Sequence, residues 1–178
     1  VLLVSATDVA GNAGEPQQFD FILDVGTTPP VLTAPALTNA PDLVVQGTGI
    51  EDGATVNMLV NDVPVETIVQ GVAFQTGVVS LQEGENTITA TATDAVGNTA
   101  DGEPITVTLD STPPELAFLA PLSDSTVNAS TDTIVIRASD AVGLDATRVD
   151  LTVDGATVTL SVGGDGTITY VAAAPFAS

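Results

Sequence analysis

One phrase occurs twice in this chain, and its spacing limits what the chain can fold into. The stretch Val4-Ser5-Ala6-Thr7-Asp8-Val9-Ala10-Gly11-Asn12 lies over Ala90-Thr91-Ala92-Thr93-Asp94-Ala95-Val96-Gly97-Asn98. After each comes an alternating run and then a proline pair. The first run is residues 19–24, ahead of Thr28-Pro29-Pro30, and the second is residues 105–110, ahead of Thr112-Pro113-Pro114. Asp8 and Asp94 are 86 positions apart, while Thr28 and Thr112 are 84 apart. Two separate motifs with nearly one period imply a repeat of about 85 residues, the size of one small β-sandwich.

Residues 27–111 form one full repeat, and its pattern predicts seven short strands. These are residues 31–37, an edge strand limited by Pro35, then 42–46, 55–60, 63–69, 72–81, 87–93 and 104–109. Pro64 holds the fourth near a sheet edge, because proline has no N–H for a ladder. Turns fall at Glu51-Asp52-Gly53, Asn61-Asp62, Gln70-Gly71 and residues 83–86. Along each strand apolar residues alternate with Thr, Asn or Gln, and no segment has a helical period. Hydrophobic residues make up 44% of the chain but aromatics only 3%, so the cores must be small and aliphatic. The expected fold is all-β, with tandem immunoglobulin-like Greek-key β-sandwiches of about seven strands per complete repeat.

The two ends divide a further repeat between them. Residues 1–26 supply the last two strands of such a domain. Residues 112–178 start another with about five strands and lack the closing two. One explanation is a window cut from a longer array. The other is complementation, in which residues 1–25 of one molecule complete the third domain of the next and build a head-to-tail homopolymer.

Charge removes several classes of function. The basic residues are Arg137 and Arg148, against 23 carboxylates, for a net charge of -21. Nothing here neutralises phosphates, so nucleic acid is excluded as a partner. An anionic membrane surface is disfavoured, and no apolar run has the roughly 20 residues needed for insertion. With no His and no Cys, the usual general base, thiolate metal sites and disulfides are all absent. Carbohydrate-binding faces usually expose aromatics. Here Trp is absent, Tyr170 stands alone, and the five Phe read as core. The expectation is a protein that is not an enzyme.

The segments "QGTGIEDGATVNMLVNDVPV", "LQEGENTITATATDAVGN" and "VTLDSTPP" resemble the bacterial Ig-like repeats of adhesins and secreted multidomain proteins. The middle repeat is most similar to the B domain first named from glucodextranase, and "ASDAVGLDATRVDLTVDG" looks like a sister type. The resemblance implies an extracellular prokaryotic protein, on the cell surface or secreted. It also implies a spacer or scaffold whose partners are neighbouring repeats of the same chain or of another copy. Two other readings are an accessory module of a secreted polysaccharide-active enzyme and a true adhesin.

Calcium is the natural partner of such an acidic surface, because it prefers hard carboxylate and carbonyl oxygens. Three acidic elements are expected to meet at one end of the middle repeat: the linker after Asp24, the turn Glu51-Asp52, and the loop from Asp94 to Asn98. Asp110, Asp140 and Asp145 would build the next joint. Repeats of this kind sometimes bind calcium at such joints, which stiffens the rod. A plainer reading competes: Asp94 and Asn98 cap a tight turn through their own backbone while Gly97 supplies positive φ. Asn128-Ala129-Ser130 also matches a glycosylation sequon, more often a chance match in a prokaryotic protein.

Overall fold

β-Branched residues on alternate positions, cut every few residues by Gly, Pro or Asn-Asp, favour short strands over any helix. A computed structural model of the chain describes residues 1–127, 133–153 and 155–172. It is all-β, with several antiparallel sheets and no barrel. The sequon at residues 128–130 lies outside the described residues. The chain divides into two units, Val1–Leu109 and Asp110–Ser178.

In chain order the strands of the first unit are β1 Leu2–Val4, β2 Gln17–Phe19, β3 Val31–Thr33, β4 Leu37–Thr38, β5 Asp42–Leu43, β6 Gln46–Thr48 and β7 Thr55–Val60. There follow β8 Val63–Val65, β9 Thr67–Gln70, β10 Ala73–Thr76, β11 Val79–Ser80, β12 Gly84–Thr93, β13 Thr99–Asp101 and β14 Ile105–Leu109. Strands β1 and β2 pair with each other. One sheet runs β3-β6-β10-β9, and a larger one runs β4-β14-β12-β7-β8 with β13 also on β12. These two sheets share one buried core. Leu32 and Phe74 reach it from the smaller sheet and Met58, Val60, Ile88, Ala90, Ala92, Val107 and Leu109 from the larger, joined by Val45 and by Val79 of β11, which pairs with β5.

Several expected strands are broken where the chain changes sheets. Residues 31–37 form two strands, not one: β3 is in the smaller sheet and β4 lies parallel to β14 in the larger. Pro35 sits at the crossing, where a missing N–H costs no ladder bond. Residues 63–69 likewise split into β8 and β9, which belong to different sheets. Residues 42–46 and 72–81 are each interrupted. At the breaks, Val45 and Thr76 bridge the chain segments: Val45 N donates to Thr76 Oγ1 at 3.0 Å, and Thr76 N donates to Val45 O at 2.9 Å. Residues 19–24 are not a strand beyond Phe19. The ladder between β1 and β2 runs from Val4–Gln17 to Leu2–Phe19. Strand β13 went unread because it is three residues long.

The Asn61-Asp62 turn is as expected. Both residues have positive φ, 51° and 65°, the geometry of a tight two-residue hairpin. It is locked from beneath by Asn86, which is completely buried. The Asn86 amide donates to Gln82 O at 2.8 Å and Gly84 O at 3.0 Å. Its carbonyl oxygen accepts from Gln82 N and from the Asn61 side chain, both at 2.9 Å. A buried amide with its bonds made ties the β7–β8 turn to the start of β12. In the smaller sheet, Gly47 lies opposite Phe74, and a Cβ at 47 would overlap the phenyl ring.

The second unit repeats part of this plan. Its strands are β15 Glu115–Ala120, β16 Thr133–Ser139, β17 Leu151–Val153, β18 Ala156–Val158, β19 Ser161–Val162 and β20 Thr167–Val171. One sheet runs β15-β16-β20-β19, and β17 pairs with β18. A 3-10 turn, Ala146–Arg148, is capped by Asp145, whose side chain accepts from Thr147 N. Among the described residues, Ile136, Ala138 and Ile168 form its buried core. Among the described residues, no helix is long and apolar enough to cross a membrane.

Replacing Asn86 with Ala strips partners from several buried polar groups at once. The expected loss of stability is about 2–4 kcal/mol by denaturant titration, with the strand signal retained at zero denaturant.

Candidate cation site

The Asp94 loop builds itself from local hydrogen bonds. Asp94 Oδ1 accepts from Val96 N and Asn98 N, both at 2.9 Å, and Oδ2 accepts from Asn98 Nδ2 at 2.7 Å. The backbone closes with Asp94 N donating to Asn98 O at 3.0 Å and Gly97 N donating to Asp94 O at 3.3 Å. Gly97 has φ of 95°, which a side chain would strain.

The Asp8 loop repeats these bonds one for one. Asp8 Oδ1 accepts from Ala10 N at 2.9 Å and Asn12 N at 2.8 Å, and Oδ2 accepts from Asn12 Nδ2 at 2.8 Å. Asp140 keeps a reduced form, with Oδ1 accepting from Val142 N at 2.9 Å and Gly143 N at 3.1 Å. Leu144 stands where the other loops have Asn, so the closing side-chain bond is missing. The Asp8 loop forms its full bond set without belonging to any carboxylate cluster found among the described residues. The Asp-Asn pairing is therefore explained by turn chemistry, and any cation at Asp94 is an addition to it.

What sets Asp94 apart is its neighbours. Asp24, Glu51 and Asp94 bring one carboxylate oxygen each within 4.8 Å of one another. The linker from Asp24 to Thr28 holds them together. Glu51 Oε1 accepts from Thr28 N at 3.1 Å and Thr28 Oγ1 at 3.4 Å. Asp24 Oδ1 accepts from Gly26 N at 3.3 Å, and Asn98 Nδ2 approaches it at 3.5 Å. Thr27, in the same linker, has a buried hydroxyl oxygen with no hydrogen-bond partner among the described residues. Asp24 is exposed, Glu51 and Asp94 are half-buried.

The other expected ligands go elsewhere. Asp52 is an exposed turn residue outside the cluster. Asp110, Asp140 and Asp145 form no second cluster among the described residues. Each is engaged locally instead: Asp110 accepts from Thr112 N and Oγ1, and Asp145 from Thr147 N and Oγ1. Short side chains two residues from a Thr satisfy themselves before they reach a neighbour.

The bonds also set protonation. At Asp94 burial opposes the charge, but bonds from the Asn98 side chain and from the backbone of Asn98, Val96 and Gly97 together outweigh it. They hold the carboxyl below the ordinary 3.8. At Asp8 the Asn12 side-chain bond leads, with the same direction.

Comparison with models of known protein families and with curated proteins finds no match.

A depressed folded pKa means that Asp94 contributes stability above the ordinary 3.8, which is lost as pH falls through its folded value. Melting curves in chelator across pH 2–5 should therefore fall on the acid side in the parent and fall less in Asp94→Ala, which has no carboxyl to protonate.

Proposed function

We propose that the chain is a run of immunoglobulin-like repeats acting as a non-catalytic spacer in an extracellular surface stalk, adhesin or fibre. The observation that carries this reading is one hairpin built twice in one register. Leu2 pairs with Phe19 as Ile88 pairs with Ile105, both partners displaced by 86 positions. The Thr7–Ala13 bridge matches the Thr93–Thr99 pair with the same displacement. The strand orders support the immunoglobulin-like assignment. A four-strand sheet faces a larger one across the core, and the first strand crosses between them to lie parallel to the last.

The joint at Asp24, Glu51 and Asp94 is proposed to take calcium, which would fasten the linker to both turns. Residues 1–109 contain neither of the two basic residues, so no Lys or Arg of the first unit offsets these three carboxylates. Calcium–oxygen distances of about 2.3–2.6 Å allow two ligand oxygens to lie up to about 5 Å apart. The 4.8 Å grouping fits that limit. Backbone carbonyls and water would complete the shell.

Calorimetry in chelator and in roughly 10 mM calcium tests the joint. With affinities of about 10⁻⁴–10⁻³ M, usual for extracellular modules, calcium should stabilise the first unit by about 1–3 kcal/mol. Glu51→Gln should lose most of that gain. No uptake and an unchanged melt would remove calcium from the account, and turnover of a polysaccharide by the purified chain would contradict the spacer.

A further inference from the structure

The open sheet edges of the middle repeat are not alike. Strand β8 carries Pro64, β3 follows directly on Pro29-Pro30, and β13 carries Asp101. Strands β4, β5 and β11 are two residues long. Proline, charge and shortness all blunt an edge against pairing with another chain. Strand β9, Thr67-Ile68-Val69-Gln70, has none of these devices. It pairs with β10 alone, and at four residues it is the longest edge strand of the first unit among the described residues.

Register decides which backbone groups that edge offers. Gln70 faces Ala73 across the turn Gly71-Val72, and Ile68 faces Gln75. In an antiparallel ladder, hydrogen-bonded pairs alternate with pairs whose N–H and C=O point away from the partner strand. Bonds at the far end of the ladder settle the phase. Gly77 N donates to Glu66 O at 3.0 Å, whereas Thr76 N, opposite Thr67, donates away from β9 to Val45 O at 2.9 Å. Ile68 and Gln70 therefore bond to β10, while Thr67 and Val69 turn their N–H and C=O to the open edge. In the β7–β8 hairpin the position turned outward is Pro64, opposite Leu59, which has no N–H to offer.

The side chains agree with the backbone. Ile68 is 39% exposed and Val69 36%, and β9 holds no carboxylate. The outer face of the same sheet stays uncharged as well: Ile68 lies in a row with Gln75, Gln46 and Thr33, and Gln70 in a row with Ala73, Thr48 and Val31. With a net charge of -21, the rest of the surface repels copies of the chain and attracts basic partners. On β9 a basic partner finds no carboxylate to pair with, and a second copy meets an edge as neutral as its own.

We propose that β9 of one molecule pairs antiparallel with β9 of a second copy about a twofold axis, joining their smaller sheets edge to edge. The register centred on Ile68 uses every outward-turned group. Thr67 and Val69 of each copy exchange N–H···O bonds with Val69 and Thr67 of the other, and Ile68 faces Ile68. Glu66 then faces Gln70, so no carboxylate opposes another. A patch that matches itself is what a closed dimer requires. The contact is lateral and needs neither calcium nor the spacer reading.

The chain has no cysteine, so a single substitution reports the axis. Opposed residues of a non-hydrogen-bonded pair have Cα atoms about 4.5 Å apart, within disulfide reach. Ile68→Cys in the full chain should give a covalent dimer on mild oxidation, read on a non-reducing gel. In Gln70→Cys the two sulfurs start ~13 Å apart along the strands, and the dimer should be lost. Light scattering on the unsubstituted chain should show a mass that rises above 17.8 kDa with concentration. The rise should be steeper in about 1 M than in about 0.1 M salt, where the screening length is about 3 Å against about 10 Å. Val69→Pro removes an outward N–H and no bond to β10, so it should stay monomeric with the melt of the middle repeat kept. Ile68→Asp sets two carboxylates on the axis and should also be monomeric, whether or not the proline variant folds. A monomer at every concentration and salt, equal dimer from both cysteine variants, or undiminished dimer in Ile68→Asp would overturn the pairing.

Discussion

The pairing of β12 with β7 on one side and β14 on the other is the contact on which the first unit depends. Ten residues, Gly84–Thr93, alternate small and branched side chains. Asn86, Ile88, Ala90 and Ala92 point into the core, and the Thr residues between them point away. With so few aromatics, no single large side chain holds the two sheets together. The core is a mosaic of Val, Ile, Leu, Ala, one Met and one Phe, each contributing modestly. Such a mosaic works only if the register is right, because a slip of one residue would turn every Ala and Ile to solvent and every Thr inward. The two-residue turn at Asn61-Asp62 and the buried amide of Asn86, bonded to each other, keep that register from one end of the β7–β12 contact.

Much of this was legible in the sequence, for identifiable reasons. Residues 55–60 form one β-rich run between two turn signals, and β7 occupies those positions. The Thr-Ile-Thr-Ala-Thr-Ala-Thr run of β12 carries its period on its face. What could not be read was where a strand leaves one sheet for the other. Residues 31–37 and 63–69 look like single strands, since alternation records which face is buried and not which neighbour supplies the hydrogen bonds. Pro35 and Pro64 were seen as limits on pairing, but the change of partner that accompanies them is a tertiary fact. At the candidate site, Asp24, Glu51 and Asp94 come from three places far apart in sequence, and an up-and-down count of the strands puts all three at one end of the repeat. Asp110, Asp140 and Asp145 looked equivalent by the same argument. Local bonds to Thr112, the Val142–Gly143 amides and Thr147 hold them instead.

Acidity gives the chain a problem that its fold does not solve alone. A net charge of -21 with two basic residues means that folding gathers like charges with little internal compensation. Dissolved cations must supply the rest, either by general screening or by binding where carboxylates converge. The loops at Asp8 and Asp94 differ in how many carboxylates converge on them. At Asp8 the carboxylate is used up in its own turn. At Asp94 the same turn survives, with Asp24 and Glu51 brought alongside it by the linker.

Native-state hydrogen exchange followed residue by residue tests the central claim most directly, namely that two sheets of an aliphatic sandwich are locked through β12. The account predicts that amides of β7 and of β12 from Ile88 to Ala92 exchange slowest in the first unit and share one global opening free energy. They should be far slower than residues 20–26 of the linker. Exchange in β12 as fast as in that linker, or two separate protection levels for β7 and β12, would contradict it.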